Sequence, residues 1–299
     1  MKKSPLYVIG SDIGGTTFSS TLYDTSLHII NSSPKATISN YPTTERLIDG
    51  ICDQIIQLRQ NAGISSHNLK GIGLACPGPL DAKSGKILNT PNLTLLQNIH
   101  ITALLEKRLN NNVFLENDAN LFTLGEYVFF SERQPSVLIG ITLGTGVGFG
   151  IVLDGQFFTG AHGLGAEYGI SPDGKEKTWE DGISIRGLNK MSIHKFGKLL
   201  SPKELFDLAN IGNLKALELW SIYGIKLGTV LSHVINMLDP DIISIGGGIS
   251  HAFPYFKESM ITEIIRYSPA YSLYNPTIIE SIQKEKSAML GAAKMVCKY

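Results

Sequence analysis

Cysteine is scarce in this chain, and charge of neither sign is in excess. The three cysteines, Cys52, Cys76 and Cys297, are far apart and odd in number, which implies no disulfide framework and no paired-cysteine site. That usage suits a reducing cytosol, so a cytoplasmic location is expected. The 26 basic residues are balanced by 26 acidic ones, so no net field favours nucleic acid or anionic lipid as a partner. No apolar run reaches the roughly 18 residues of a membrane-spanning helix, and no membrane partner is expected. Met1-Lys-Lys-Ser-Pro5 runs straight into a short strand pattern, not into the apolar core of a signal peptide. The 43% hydrophobic content is ample for real cores, and 299 residues at roughly 150 per domain suggest about two domains.

Two stretches, in opposite halves, read as strand, Gly/Thr turn, strand. The first is Leu6 to Asp12, Ile13-Gly-Gly-Thr-Thr17, then the alternating run Phe18 to Asp24; the second is Val137 to Leu143, Gly144-Thr-Gly146, then Val147 to Asp154. Gly14 and Gly15 can take positive φ and let backbone approach a phosphate closely, and Thr16 and Thr17 add hydroxyl donors. Asp12, at the strand end, could hold a magnesium-bound water. No Gly-Lys-Ser/Thr follows, so this is no Walker loop, and a strand instead of a helix follows, so it is no dinucleotide fingerprint. Either turn alone could be a plain hairpin. A pair in two lobes, with the same chemistry, points to a nucleotide phosphate tail. Gly246-Gly-Gly248 follows a third strand and leads to a helix; it is either a tight turn or a flat platform beside adenosine, with Gly247 and Gly248 as the contacts.

Between these turns, strand and helix patterns alternate, an α/β class. Thr43-Thr-Glu45 opens a helix with Leu47, Ile48, Ile51, Ile55 and Leu58 at helical spacing, ended by Gly63. Gly71 to Cys76 is a strand running into the Pro77-Gly78-Pro79 turn. Ile101 to Leu109 is a short helix, Val113 to Leu115 a buried strand, and Asp118 begins a helix through about Phe130. Gln134-Pro135 marks a segment boundary. Residues 160–187 are Gly-rich and polar, a long irregular segment of the kind that usually carries function. Asn213 to Leu238 is a long helix, Asp241 to Ile245 a strand, and Ser287 to Cys297 a final amphipathic helix.

Glu116-Asn117-Asp118 stands where a buried strand meets a helix. Asp118 could be an ordinary N-cap. Three polar side chains at a strand's carboxyl end also suit a ligand crevice, where a carboxylate can take a hydroxyl proton. Glu167 and Glu180, on the polar 160–187 segment, are either solvated acids or acceptors for neighbouring sugar hydroxyls; His162 reads as loop structure. Asn92, after a turn-rich stretch, is a further candidate for a polar ligand.

Taken together, these residues resemble the ROK family of sugar kinases and sugar-responsive repressors, within the actin and hexokinase-like superfamily. Asp12-Ile-Gly-Gly-Thr-Thr17, Gly71 to Asp81, Pro91-Asn-Leu93, Glu116 to Asn120, Leu143 to Gly148, Gly160 to Gly169 and Asp239 to Gly248 fall in the family's order, over nearly the whole chain. The resemblance implies a two-lobed actin/hexokinase-like (ribonuclease H-like) ATPase fold with the cleft between lobes. Its lobes would be residues 1–117, joined by a C-terminal helix at 287–299, and residues 118–286. It implies ATP, with Mg²⁺ held through the nucleotide near Asp12, and a hexose phosphorylated at its 6-hydroxyl. Asp118 would be the general base; Asn92, Asn117, Asp118, Glu167 and Glu180 would bind sugar. Gly14, Gly15, Thr16 and Thr17, with Gly144, Thr145 and Gly146, would cradle phosphates, and Gly247 and Gly248 would flank adenosine. A homodimer or homotetramer is implied.

Two departures stand out. Many ROK members bind a structural zinc through CxCGxxGCxE and a preceding His. Here Ser171, Asp173 and Thr178 occupy the cysteine positions and Ile170 the histidine position, so no zinc is expected. Leu96 replaces an aromatic usual in glucose-type enzymes. Thr90 to Leu93, Gly144 to Phe149 and Thr159 to Gly163 are most similar to D-allose kinases; glucose and N-acetylmannosamine are the other candidate sugars. A ROK repressor would need an added N-terminal winged helix, for which a phosphate turn at residue 12 leaves no room. A sugar-binding regulator without catalysis is the remaining alternative.

Overall fold

The run Tyr7–Ile13 forms a strand that pairs antiparallel with Thr17–Asp24 and parallel with Leu69–Cys76, which pairs parallel with Val113–Asn117. The parallel strands are buried nearly throughout, the pattern of strands covered on both faces. This is a computed structural model, and it describes residues 6–130, 132–174, 178–283 and 286–298. One face of the sheet is covered by the helices Thr44–Asn61 and Ile101–Leu109, whose Leu47, Ile51, Ile55 and Leu105 share a core with Ile9, Ile72 and Leu74. Thr43 starts the first of these helices by accepting from the Arg46 N–H at 3.3 Å.

The C-terminal helix Ser287–Lys298 packs against the first of these strands and against the helix Asp118–Phe129. Gly10 and Gly73 are cross-strand neighbours. A Cβ on either would run into a backbone carbonyl of this helix, that of Met289 or Ala292. Gly125 meets the Ser287 carbonyl in the same way, and Gly291 meets that of Leu121. The contact is backbone on backbone, and the buried Ser287 hydroxyl and Glu126 carboxylate seal it with a hydrogen bond.

A second five-stranded sheet has Val137–Leu143 antiparallel to Val147–Leu153 and parallel to Ile242–Gly246, which pairs parallel with Thr277–Glu280. Its core includes Trp220, Tyr223 and Phe256 on the helices Leu214–Leu238 and Phe253–Tyr267, all fully buried. Asn213 caps the long helix, which ends at Asp239 in a left-handed conformation before Pro240.

The expected α/β class is therefore observed, as two compact units. The first gathers the described residues of Met1–Glu132, Thr159–Gly163 and Lys286–Tyr299; the second gathers those of Arg133–Phe158 and Leu164–Glu285. The division falls near Gln134-Pro135. The helix Asp118–Phe129 stays with the first unit because it packs on the C-terminal helix. The 160–187 segment is less irregular than its composition implies. It holds a single turn at Tyr168–Ile170, a short helix at Trp179–Ile183 and the start of Ile185–Phe196. Residues 175–177 of it lie outside the described residues, as do residues 1–5, on which the signal-peptide reading rests. Among the described residues no helix is long and apolar enough to cross a membrane.

Gly73→Ala should cost about 1–3 kcal/mol of stability by forcing the C-terminal helix off the sheet. Gly144→Ala points into open space and should change stability by less than about 0.5 kcal/mol. Thermal or urea unfolding of the two variants checks this, and equal stabilities would refute the close-packing argument.

Candidate active site

Three parallel strands of the first unit end at one edge. The register sets Asp12 beside Ala75 and Cys76 beside Asn117. Burial pushes the Cys76 thiol pKa well up, and the nearby carboxylates of Asp12 and Asp118 push it further. The thiol therefore stays neutral and unreactive. In the turn after Asp12, the Gly14 N–H donates to the Thr17 carbonyl at 2.9 Å, and the Thr16 carbonyl accepts from the Ile38 N–H at 2.8 Å. Neither Gly14 nor Gly15 has the positive φ that the sequence allowed. At Gly15 the requirement is space, because a Cβ would lie 3.0 Å from that of Asn92. In the same turn, the Thr90 hydroxyl donates to the Pro79 carbonyl at 3.1 Å, and the Thr90 carbonyl accepts from the Leu93 N–H at 3.3 Å. The first unit thus brings Asp12, the Gly14–Thr17 turn, Asn92, Asn117 and Asp118 to one edge.

Capping at this edge falls to Asn117, not to Asp118. The Asn117 Oδ1 accepts from the Ala119 N–H at 2.9 Å and from the Asn120 N–H at 3.4 Å. Asp118 is the first helical residue, and its Oδ1 accepts from the Ala119 N–H at 2.8 Å. Burial pushes the Asp118 carboxyl above its ordinary range, opposed by backbone N–H groups. Such a carboxylate is a better proton acceptor than an exposed one. Glu116 is buried and also pushed upward by burial. Its Oε1 accepts from the Asn117 N–H at 2.8 Å and the Asn120 Nδ2 at 3.0 Å. The sequence reading missed this brace; its signal was a glutamate at the inward end of a buried strand.

In the second unit, the Gly144 N–H donates to the Gly146 carbonyl at 3.0 Å across the second turn. Thr145 is exposed at its tip. Gly247 lies against Leu143, with φ of 84°, and a Cβ there would strike the Leu143 backbone. Gly247 is thereby placed next to the strand end that leads into the Gly144–Gly146 turn. Glu180 braces the same turn. Its Oε2 accepts from the Val147 N–H at 2.9 Å, and its Oε1 accepts from Arg186 Nη2 at 2.5 Å. Spare lone pairs remain on a carboxylate with two such bonds. Nothing in the sequence pattern singled out Arg186. Glu167 is exposed, immediately before the Tyr168–Ile170 turn.

The hard oxygen donors Asp12, Thr16 and Thr17 suit Mg²⁺ beside a phosphate. The zinc positions do not suit zinc. Thr178 caps the helix Trp179–Ile183, accepting from the Asp181 N–H at 3.3 Å, and Ile170 is 61% exposed. Among the described residues no group of three His, Cys, Asp or Glu is poised for a metal.

Known proteins resemble the chain over nearly its whole length. The ROK family profile matches residues 8–298. A glucokinase from Thermotoga maritima is 30% identical, with 97% of each chain covered. A xylose repressor from Bacillus subtilis is 29% identical over 98% of this chain and 77% of the repressor. The crystal structure of a ROK hexokinase from Thermus thermophilus superposes with a TM-score of 0.82 at 27% identity, over 96% of this chain and 97% of that one.

Because the folded-state pKa of Asp118 lies above the unfolded value, its charge destabilises the fold at pH above the unfolded pKa. That cost is relieved as pH falls through the folded pKa. Asp118→Asn should therefore raise Tm at pH 7, with the difference closing in acid; a lower Tm at pH 7 would contradict this. Elemental analysis of the purified protein should find no stoichiometric zinc, and one tightly held zinc per chain would overturn that expectation.

Proposed function

Because the chain belongs to the ROK family, we propose that it is a sugar kinase that transfers the γ-phosphoryl group of ATP to a hexose hydroxyl. The observation that carries this reading is Asp118: a part-buried carboxylate at a strand's carboxyl end, pushed up in pKa by burial and relieved of capping by Asn117. Asp118 takes the proton of the sugar hydroxyl, whose oxygen attacks the γ-phosphorus while ADP leaves with the bond electrons. The backbone N–H groups and hydroxyls of Gly14–Thr17 and Gly144–Gly146 hold the phosphates, and Gly247 and Gly248 lie beside adenosine. Mg²⁺, when bound, supplies neutralisation of the phosphate charge, and Asp12 is the residue to hold its water shell. Asn92, Asn117, Glu167 and Glu180 hold sugar hydroxyls.

By family resemblance the 6-hydroxyl is the acceptor. D-allose, glucose and N-acetylmannosamine are the sugars to test first. The protein is proposed to act in the cytoplasm as a homodimer or homotetramer, with no nucleic-acid or membrane partner. Two observations favour a second reading, a sugar-binding regulator without catalysis: Ile170 stands where the resemblance puts a histidine that touches the sugar, and the xylose repressor matches along nearly the whole chain.

A coupled ADP-release assay over aldohexoses and amino sugars separates the two. The kinase reading expects Mg²⁺-dependent turnover, lowered at least about a hundredfold in Asp118→Asn. It also expects kcat/KM to fall in acid with a midpoint above the ordinary aspartate range, because the base must be ionised. Sugar-induced thermal stabilisation without turnover on any sugar would establish the regulator instead.

A further inference from the structure

The two acids assigned to the sugar in the second unit each adjoin an aromatic residue, Glu167 before Tyr168 and Glu180 after Trp179. Those two aromatics meet on a third residue from a different element, His233 of the helix Leu214–Leu238. The Tyr168 hydroxyl lies 2.7 Å from the His233 Nδ1, and the two rings stand edge to face at 6.5 Å and 82°. The rings pack edge to face. Trp179 and His233 have centroids 5.7 Å apart at 72°, and Phe149 meets Tyr168 at 5.6 Å and 87°. Backbone bonds close the same loop: the Trp179 N–H donates to the Ser171 carbonyl and the Ser171 N–H to the Tyr168 carbonyl, each at 3.0 Å. Beneath it, Gly169 lies so close to the Val147 carbonyl that a Cβ has no room. Val147 is the residue whose N–H Glu180 accepts.

We propose that Tyr168, Trp179 and His233 form a fastening made wholly of protein groups that fixes Glu167 and Glu180 for sugar binding, with His233 as a positioning residue. This rests on the sugar-kinase reading. The cluster acts by leverage. Each acid is one residue from a ring of the cluster, and Glu180 is also tied to the second phosphate turn. Loosening the rings therefore misplaces sugar acceptors before it disturbs the nucleotide side. His233 is exposed, so its replacement removes one anchor without opening a core.

The test compares wild type with His233→Ala and His233→Gln, whose amide retains a donor and an acceptor for Tyr168. Steady-state kinetics should show the sugar KM raised about tenfold in His233→Ala, the scale of losing one well-formed side-chain hydrogen bond. The kcat and the ATP KM should stay within roughly twofold, and His233→Gln should recover most of the sugar KM. Hydrogen exchange of the free protein should show faster exchange at the amides of Ser171 and Trp179 in His233→Ala only. Unchanged exchange there would overturn the fastening. Faster exchange with an unchanged sugar KM would overturn its role in the site. If the wild type turns over no sugar, the kinase reading fails by itself. The exchange data, with sugar-induced thermal shifts in place of KM, then decide the fastening independently.

Discussion

The first unit depends on one close approach, that of the C-terminal helix to the glycines beneath it. Gly10 and Gly73 sit side by side on two parallel strands, and Gly125 faces the same helix from the helix that Asp118 begins. Packing at backbone distance leaves little room for adjustment, because interiors of this density transmit strain instead of absorbing it. Two elements that end in chemistry, the strand reaching Asp12 and the helix opening at Asp118, are therefore held against one surface. The positions of these carboxylates follow from residues that have no side chain at all.

The second unit uses a different device, one carboxylate spanning two tasks. Glu180 satisfies the backbone of the second turn at Val147 and pairs with Arg186. The Ile185 N–H also donates to the Gly144 carbonyl at 2.9 Å, so the segment carrying Glu180 is bonded to the turn on both sides. A short Gly/Thr turn has few contacts of its own and would otherwise be free to sample other conformations. Bracing it by a charge-assisted bond costs little when the carboxylate stays partly solvated and shares its charge with a half-exposed arginine.

Much of this was legible in the sequence where local rules govern. The helix at Thr44–Asn61 followed from a threonine cap and 3.6-residue spacing, and the two hairpins from Gly/Thr turns between apolar runs. Side-chain acts across long sequence separations were not legible. The Asn92–Gly15 neighbourhood, the Glu180–Val147 bond and the meeting of Tyr168 with His233 join residues that no periodicity links. The glycines show the same limit. Composition suggested conformational freedom at Gly14 and Gly15, yet what Gly15 supplies is room for Asn92, a requirement visible only once another segment has arrived. The helix after Asp118 shows the same limit, because it takes its side from its packing partner at the far end of the chain.

The Glu116-Asn117-Asp118 run also shows how neighbours can divide incompatible duties. A helix start needs an oxygen to accept its free N–H groups, and aspartate is a common choice. A proton acceptor needs the reverse, since each bond to the ionised form lowers its pKa and its basicity. Asn117 takes two of the helix N–H groups, and Glu116 holds Asn117 through its backbone N–H. Asp118 is left with the Ala119 N–H on one oxygen and with burial, the stronger influence, acting upward on its pKa. Had Asp118 been the cap, the same helix terminus would have drawn it toward the acidic end of the carboxylate range. The asparagine before it is thus as much a condition of the proposed proton transfer as the aspartate itself.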